Sequence, residues 1–156
     1  MKAILDFVVI VLLIKIAWTD YKTMEIPDKW NVMLGMCGVA AFVVTQELSV
    51  LERIMGACCV SVPMYLLTVW IPGAFGGGDI KLTFVMGLYL GWKTVLFGTF
   101  IAILFGGMQA LGLLVTGKVK MGEGVHMAFG PALCLGFILA HWWGDRMLSW
   151  YFGLFY

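Results

Sequence analysis

Six long apolar stretches limit the fold of this chain more than any other feature. They cover approximately residues 3–19, 31–45, 53–71, 80–90, 94–116 and 128–143. Most approach the roughly 20 residues that an α-helix needs to cross the hydrocarbon core of a bilayer. Only 12% of the residues are charged, against roughly 25% in a soluble domain, so water is a poor solvent for this surface. The pattern predicts one all-α domain, residues 1–156, built as a polytopic membrane bundle with six transmembrane helices.

The connections between these stretches predict the orientation. The cations on the side of the odd-numbered connections are Lys15, Lys22, Lys29, Lys81, Lys118 and Lys120. Fewer cations lie on the other side, so the positive-inside rule predicts cytoplasmic odd connections and external termini. We therefore expect a multi-pass protein of the inner (cytoplasmic) membrane, in contact with lipid. The net charge of +1 and the lack of a basic stripe argue against nucleic acid as a partner.

The fourth stretch is short and follows the segment AFGGGDIKL, residues 74–82. An acidic side chain here is costly unless it is paired, faces water or takes part in chemistry. We expect Gly76, Gly77 and Gly78 to permit unusual backbone angles and to leave room for a substrate strand beside Asp79. The alternative is structural: Asp79 caps the fourth helix, with Ile80 as the first helical residue.

A second acid, Asp20, ends the first stretch on the same predicted side and at a similar depth. Two neighbouring carboxylates cannot both ionise cheaply, so one of them keeps a proton. Such a pair can activate water and polarise a peptide carbonyl, which is peptide hydrolysis without a metal or cofactor. A structural alternative pairs Asp20 with Lys15. The four cysteines lie inside apolar runs without zinc-site spacing, so no metal site is expected.

Three segments together resemble the motifs of the type IV prepilin peptidase family, which are GxGD aspartic proteases of the membrane. AFGGGDIKL resembles the G-x-G-D signature. DYKTMEIPDKWN, residues 20–31, is similar to the first motif, in which an aspartate precedes an Ile-Pro pair, here Ile26 and Pro27. MAFGPALCLG, residues 127–136, resembles the last-helix signature, here with Gly130 and Pro131.

The resemblance implies that Asp20 and Asp79 are the catalytic aspartates. The implied substrates are prepilin or pseudopilin-like proteins, cut after a short basic leader at the cytoplasmic face. Lys81 occupies the position of a lysine in the family motif, where we expect it to tune the local field or to meet the phosphate layer. Asp28 stands where the family usually has Asn, which adds a third carboxylate nearby.

The chain resembles the short, peptidase-only branch that is often found with tight-adherence (Flp-type) pilus systems. Many family members carry paired Cys-x-x-Cys motifs in an additional segment and also methylate the new N-terminus. The connection between the first two stretches here has no such cysteines, so we expect no methyltransferase-associated zinc segment.

Two other functions are compatible with parts of the sequence. A presenilin-like or signal-peptide-peptidase-like protease shares G-x-G-D, but its partner aspartate follows a tyrosine inside a helix. Here Asp20 precedes Tyr21 at a helix end. A small polytopic transporter or assembly factor would use the acids for ion coupling instead. The segment from Asp20 to Pro27 argues against both alternatives.

Overall fold

A computed structural model of the chain describes residues 1–45, 47–116 and 128–153. Its helices are α1 (Lys2–Thr23), α2 (Asp28–Thr45), α3 (Val50–Trp70), α4 (Gly77–Val115) and α5 (Gly130–Gly153). No strand occurs within these ranges, so the predicted all-α class is confirmed. The connection that carries Lys118 and Lys120 lies outside the described residues.

The helix ends follow from local sequence. α1 ends at Met24, which adopts the left-handed conformation with φ 53°. Pro27 lies directly before α2, where its missing N–H removes no helical hydrogen bond. A capping box starts α3: Ser49 Oγ accepts the Glu52 N–H at 3.3 Å, and the Glu52 carboxylate accepts the Ser49 N–H at 2.9 Å.

The long helix α4 consists of two halves that meet at Gly91. This residue has φ 76° and ψ 171°, a conformation that glycine adopts readily and other residues do not. We call residues 77–90 α4a and residues 92–115 α4b. Gly106 of α4b lies against Phe129, whose ring is 6.1 Å from that of Phe75, just before α4a. The far part of α4b has therefore returned to the level at which α4a begins, so the chain reverses direction at Gly91.

Within the described ranges, this reversal yields six helical segments at the positions that the six apolar stretches predict. The predicted connection between the fourth and fifth stretches is correct in place but is reduced to a single non-helical residue, Gly91. Two helices in the described ranges, Val50–Trp70 and Gly77–Val115, are long and apolar enough to cross a membrane. Six membrane crossings therefore stay a prediction.

The core lies where α1, α4a and α5 face one another. Leu13 and Ile16 of α1, Leu82 of α4a, and Leu133 and Phe137 of α5 are almost fully buried there. α4 packs on α2, α3 and α5, whereas α1 packs on α2 and α5. α4 is therefore the central element of the bundle, and it carries one of the two acids of interest.

Glycine pairs bring neighbouring backbones into direct contact. Gly87 of α4a lies against the carbonyl of Gly56 in α3, and Gly136 of α5 lies against the carbonyl of Gly98 in α4b. In each pair, a Cβ atom would overlap the facing backbone. These contacts are the small-residue packing that membrane helices use to approach closely.

A second group of polar side chains lies at the opposite end of the bundle from Asp20. Asp6 of α1 accepts a hydrogen bond from the Tyr89 hydroxyl and lies 3.3 Å from His141 Nε2. Lys2 pairs with Glu47 close by. These contacts join α1, α4a and α5.

Candidate active site

Asp20 lies in the last turn of α1 and is buried, with 4% of its surface exposed. Its Oδ2 atom accepts a hydrogen bond from the backbone N–H of Gly130 at 3.0 Å. Gly130 is the first residue of α5, where N–H groups have no partner within the helix and the helix dipole favours negative charge. Pro131 follows within the first turn, as predicted, and has no N–H of its own. The start of α5 thus holds the Asp20 carboxylate in place.

Asp79 lies in the first turn of α4a and is buried, with 8% of its surface exposed. α4 begins at Gly77, and Gly76 is its N-cap residue. The structural alternative in which Asp79 caps a helix starting at Ile80 is therefore wrong. Asp79 belongs to the helix itself, and its backbone N–H donates to the Gly76 carbonyl at 3.1 Å. Its carboxylate also lies close enough to the Gly76 backbone N–H to interact with it.

The structure corrects one expectation for the three glycines before Asp79, that of unusual backbone angles. Among the described glycines, only Gly73 and Gly91 have positive φ, so unusual backbone angles do not explain this segment. A Cβ atom at Gly78 would lie 2.7 Å from Cβ of Ile26, and one at Gly76 would lie 3.2 Å from Oδ2 of Asp79. A Cβ at Gly77 would meet nothing within 4 Å. Gly76 and Gly78 provide room for neighbours, whereas Gly77 faces open space.

The segment after α1 packs directly on this glycine segment. Ile26 is buried against Gly78, and Asn31 Nδ2 lies 3.5 Å from the Gly78 carbonyl oxygen. Pro27 links these two contacts by turning the chain into α2. The Ile-Pro segment and the glycine segment are about 50 residues apart in sequence but form one structural unit.

The two buried carboxylates lie close enough to interact electrostatically. Both carboxylates also interact electrostatically with the thiol of Cys134, a fully buried residue one turn after Gly130 in α5. The sequence does not single out Cys134, although its spacing from Gly130 places it on the same face of α5. Two buried carboxylates from α1 and α4a, with the start of α5 against one of them, form an acidic centre. Such a centre can share a proton and carry out general acid–base chemistry.

The nearby lysines have partners other than the two buried acids. Lys81 Nζ lies 2.7 Å and 2.8 Å from the two carboxylate oxygens of Asp28, and both side chains are exposed. The third carboxylate is therefore an ion-pair partner for Lys81. Lys15 lies over the ring of Trp30, 5.2 Å from its centroid. No ion pair joins Lys15 to Asp20, so the alternative that pairs them is wrong.

Within the described ranges, no three His, Cys, Asp or Glu side chains are arranged to hold a metal ion.

The model of the type IV leader peptidase family matches residues 7–111, which include both buried acids. The chain belongs to this family. The match ends before Gly130, so the contact of α5 with Asp20 is known from the structure alone.

Three curated relatives are each named prepilin leader peptidase/N-methyltransferase. The Bacillus subtilis protein is 31% identical over 144 residues, covering 92% of this chain and 57% of the relative. The Legionella pneumophila protein is 27% identical over 152 residues, covering 91% and 50%. The Aeromonas hydrophila protein is 25% identical over 144 residues, covering 89% and 49%. The chain thus spans about half the length of these relatives, and no solved structure matches it.

Proposed function

We propose that this chain is a membrane aspartic endopeptidase that removes the short basic leader from prepilin or pseudopilin-like substrates. The proposal rests on two buried carboxylates that interact electrostatically, Asp20 and Asp79, on different helices of a member of the type IV leader peptidase family. The names of the curated relatives provide the proposed substrate class.

In the proposed mechanism, one aspartate is ionised and the other holds the shared proton. The ionised carboxylate takes a proton from water as the water oxygen attacks the scissile carbonyl carbon. The protonated carboxylic acid donates its proton to the carbonyl oxygen, which gives a neutral tetrahedral intermediate. The aspartate that took the proton from water then protonates the leaving nitrogen as the C–N bond breaks. The other aspartate, which had given its proton to the carbonyl oxygen, recovers a proton from a hydroxyl group of the intermediate.

The roles of the surrounding residues follow from their contacts. Gly130 holds Asp20 through its N–H, and Pro131 adds no competing donor. Gly76 and Gly78 leave space for Asp79 and Ile26, respectively. The open side of the glycine segment, at Gly77, gives the substrate strand access to the carboxylates.

The proposed setting is the inner membrane, crossed six times, with the carboxylate pair at the cytoplasmic face. Two apolar helices of sufficient length, the antiparallel halves of α4 and the lysine distribution support this topology. Under it, a basic leader would approach from the cytoplasm, while the apolar helix of the substrate stays in the lipid.

The test is to co-express the chain with prepilins of several pilin classes and to map the new N-termini by mass spectrometry. Asp20→Asn and Asp79→Asn should each lower the cleavage rate by about 100- to 10,000-fold, because each removes one half of the acid–base pair. The matched control is Asp6→Asn, the same substitution at the other end of α1, which should retain cleavage.

Cleavage by Asp20→Asn or Asp79→Asn at the rate of the unsubstituted chain would refute the paired mechanism. Prepilins that stay uncut in every class would refute the substrate assignment. Equal amounts of each variant in the membrane fraction would exclude loss of insertion as the cause of a lost activity.

A further inference from the structure

A groove runs along the membrane-facing side of the bundle between α2 and α3. Val32 and Val39 of α2 form one wall, Val62 and Tyr65 of α3 form the other, and Phe84 of α4a lies on the floor. The groove has a volume of about 680 Å³. Both walls pack on α4, and α2 and α3 have little contact with each other along it. We call this feature the α2–α3 groove.

The groove is closed at the end far from the buried acids. Arg53 of α3 donates to the Leu88 carbonyl of α4a at 2.9 Å and to Thr45 Oγ1 of α2 at 3.3 Å. A third contact, of 3.4 Å, joins Arg53 to the Ala41 carbonyl of α2. Because Arg53 ties the three helices together there, a segment lying in the groove must extend toward the other end.

The open end leads directly to the candidate active site. Ile80, which lines the groove, follows Asp79 in sequence, and Asn31, on the α2 side, contacts the Gly78 carbonyl. Asn31 is buried, with 4% of its surface exposed, yet its Oδ1 atom has no hydrogen-bond partner. A buried acceptor without a donor is costly, so such atoms point to a missing partner. A backbone N–H from an extended segment that leaves the groove would supply that donor.

The groove has the length of a short piece of helix. From Ile80 to Leu88 the floor advances 88 − 80 = 8 residues, or about 12 Å at 1.5 Å per residue. This length fits about two turns of a second helix lying against α4a. An apolar helix that continues beyond the groove would pass into the surrounding lipid.

We propose that the α2–α3 groove holds the first turns of the apolar helix of the substrate, with Asn31 Oδ1 accepting a backbone N–H beside the scissile bond. This inference rests on the proposed peptidase function and adds the path by which the substrate enters. The substrate helix lies in the groove, and the substrate backbone becomes extended beside Asn31. The scissile peptide bond of the substrate then lies at Asp79 and Asp20.

Charge distinguishes this groove from the one between α1 and α5. That second groove, with a volume of about 740 Å³, is lined by apolar residues such as Ile14 and Leu135, but also by Lys15. A cation beside the active site repels a basic leader. In the α2–α3 groove, the charge of Lys81 is matched by Asp28. The α1–α5 groove therefore provides an internal control.

Photocrosslinking tests the path without depending on catalysis. The photoreactive residue p-benzoylphenylalanine is placed at Val39 or Phe84 in the α2–α3 groove, or at Leu135 in the α1–α5 groove. Each is combined with Asp79→Asn in the full chain and co-expressed with a prepilin that the unsubstituted chain cleaves. Val39 and Phe84 should capture the prepilin with a yield several-fold above that of Leu135. An equal or higher yield from Leu135 would overturn the proposal.

A groove-filling variant tests the same path through activity. A Cβ atom at Gly35 would lie 4.0 Å from its nearest neighbour, Val85, so the backbone tolerates a side chain that then fills the groove. Gly35→Leu should lower kcat/KM for the prepilin by about tenfold or more, mainly through KM. Gly107→Leu is the matched control, because Gly107 is exposed on α4b with nothing within 4 Å of an added Cβ.

The outcomes separate the two proposals. If the unsubstituted chain does not cleave prepilins, the proposed function fails. If it cleaves them and Gly35→Leu cleaves them equally well, the function stands and the groove assignment fails. Loss of activity in Gly35→Leu with retention in Gly107→Leu supports the groove.

Discussion

Replacing Gly130 with alanine directly tests the contact between α5 and Asp20. The change adds one methyl group and keeps a good helix former at the first position of α5. The added Cβ would lie 2.6 Å from Oδ2, 2.8 Å from Cγ and 3.1 Å from Cβ of Asp20. Because the methyl group meets the carboxylate itself, the carboxylate must move.

The size of the effect follows from these distances. An ordinary close carbon–oxygen contact is about 3.3 Å, so the Asp20 carboxylate is displaced by about 3.3 − 2.6 = 0.7 Å. A misplacement of about 1 Å at a reacting group can cost about 100-fold in rate. We therefore expect Gly130→Ala to lower prepilin cleavage by roughly 10- to 100-fold. The loss should be smaller than that of Asp20→Asn, because the carboxylate is still present.

The assay is the initial rate of leader removal by the purified chain in detergent, compared with the thermal unfolding temperature of each variant. Gly107→Ala is the matched control: it also adds a methyl group to a helical glycine, but into open space. Full activity in Gly130→Ala, with both variants folded, would refute the idea that α5 positions Asp20 for catalysis.

Three further predictions follow from contacts elsewhere in the site. Gly78→Ala should reduce the rate of prepilin cleavage, because its Cβ would lie 2.7 Å from Cβ of Ile26, whereas Gly77→Ala should leave the rate nearly unchanged. Equal rates for the two variants would contradict this packing. The ion pair of Lys81 and Asp28 is exposed, so a double-mutant cycle of thermal stability should give a coupling energy below about 1 kcal/mol. In vitro, the processed prepilin should keep an unmethylated N-terminal amine when a methyl donor is supplied, since residues 24–27 between α1 and α2 contain no Cys-x-x-Cys pair. A methylated product, detected by mass spectrometry, would contradict this prediction.

Much of the fold could be predicted because it follows from local properties of the chain. The apolar stretches locate the six helical segments, since runs of this length and hydropathy are stable only as helices that satisfy their own backbone hydrogen bonds. Pro27 and Gly91 lie at segment boundaries at the expected places, because one lacks an N–H and the other tolerates positive φ.

Other expectations failed where distant residues decide the outcome. The sequence pattern suggests that the glycines before Asp79 have special backbone angles, and it leaves open that Asp79 caps the helix. The structure instead has ordinary glycine angles and an Ile26 side chain packed where a Gly78 Cβ would lie. Lys81 likewise pairs with Asp28, a residue 53 positions earlier in the chain.

The sequence alone identified the apolar segments, the two acids and the Gly-Pro pair, because hydropathy, charge and residue type are properties of single positions. Only the tertiary structure showed how these positions meet. The Gly130 N–H reaches a carboxylate 110 residues away, Ile26 occupies the space that Gly78 leaves, and Asn31 keeps an unpaired oxygen at the end of the α2–α3 groove. These contacts depend on how helices pack, since distances between segments are decided by the shapes of whole helix faces and by the reversal at Gly91.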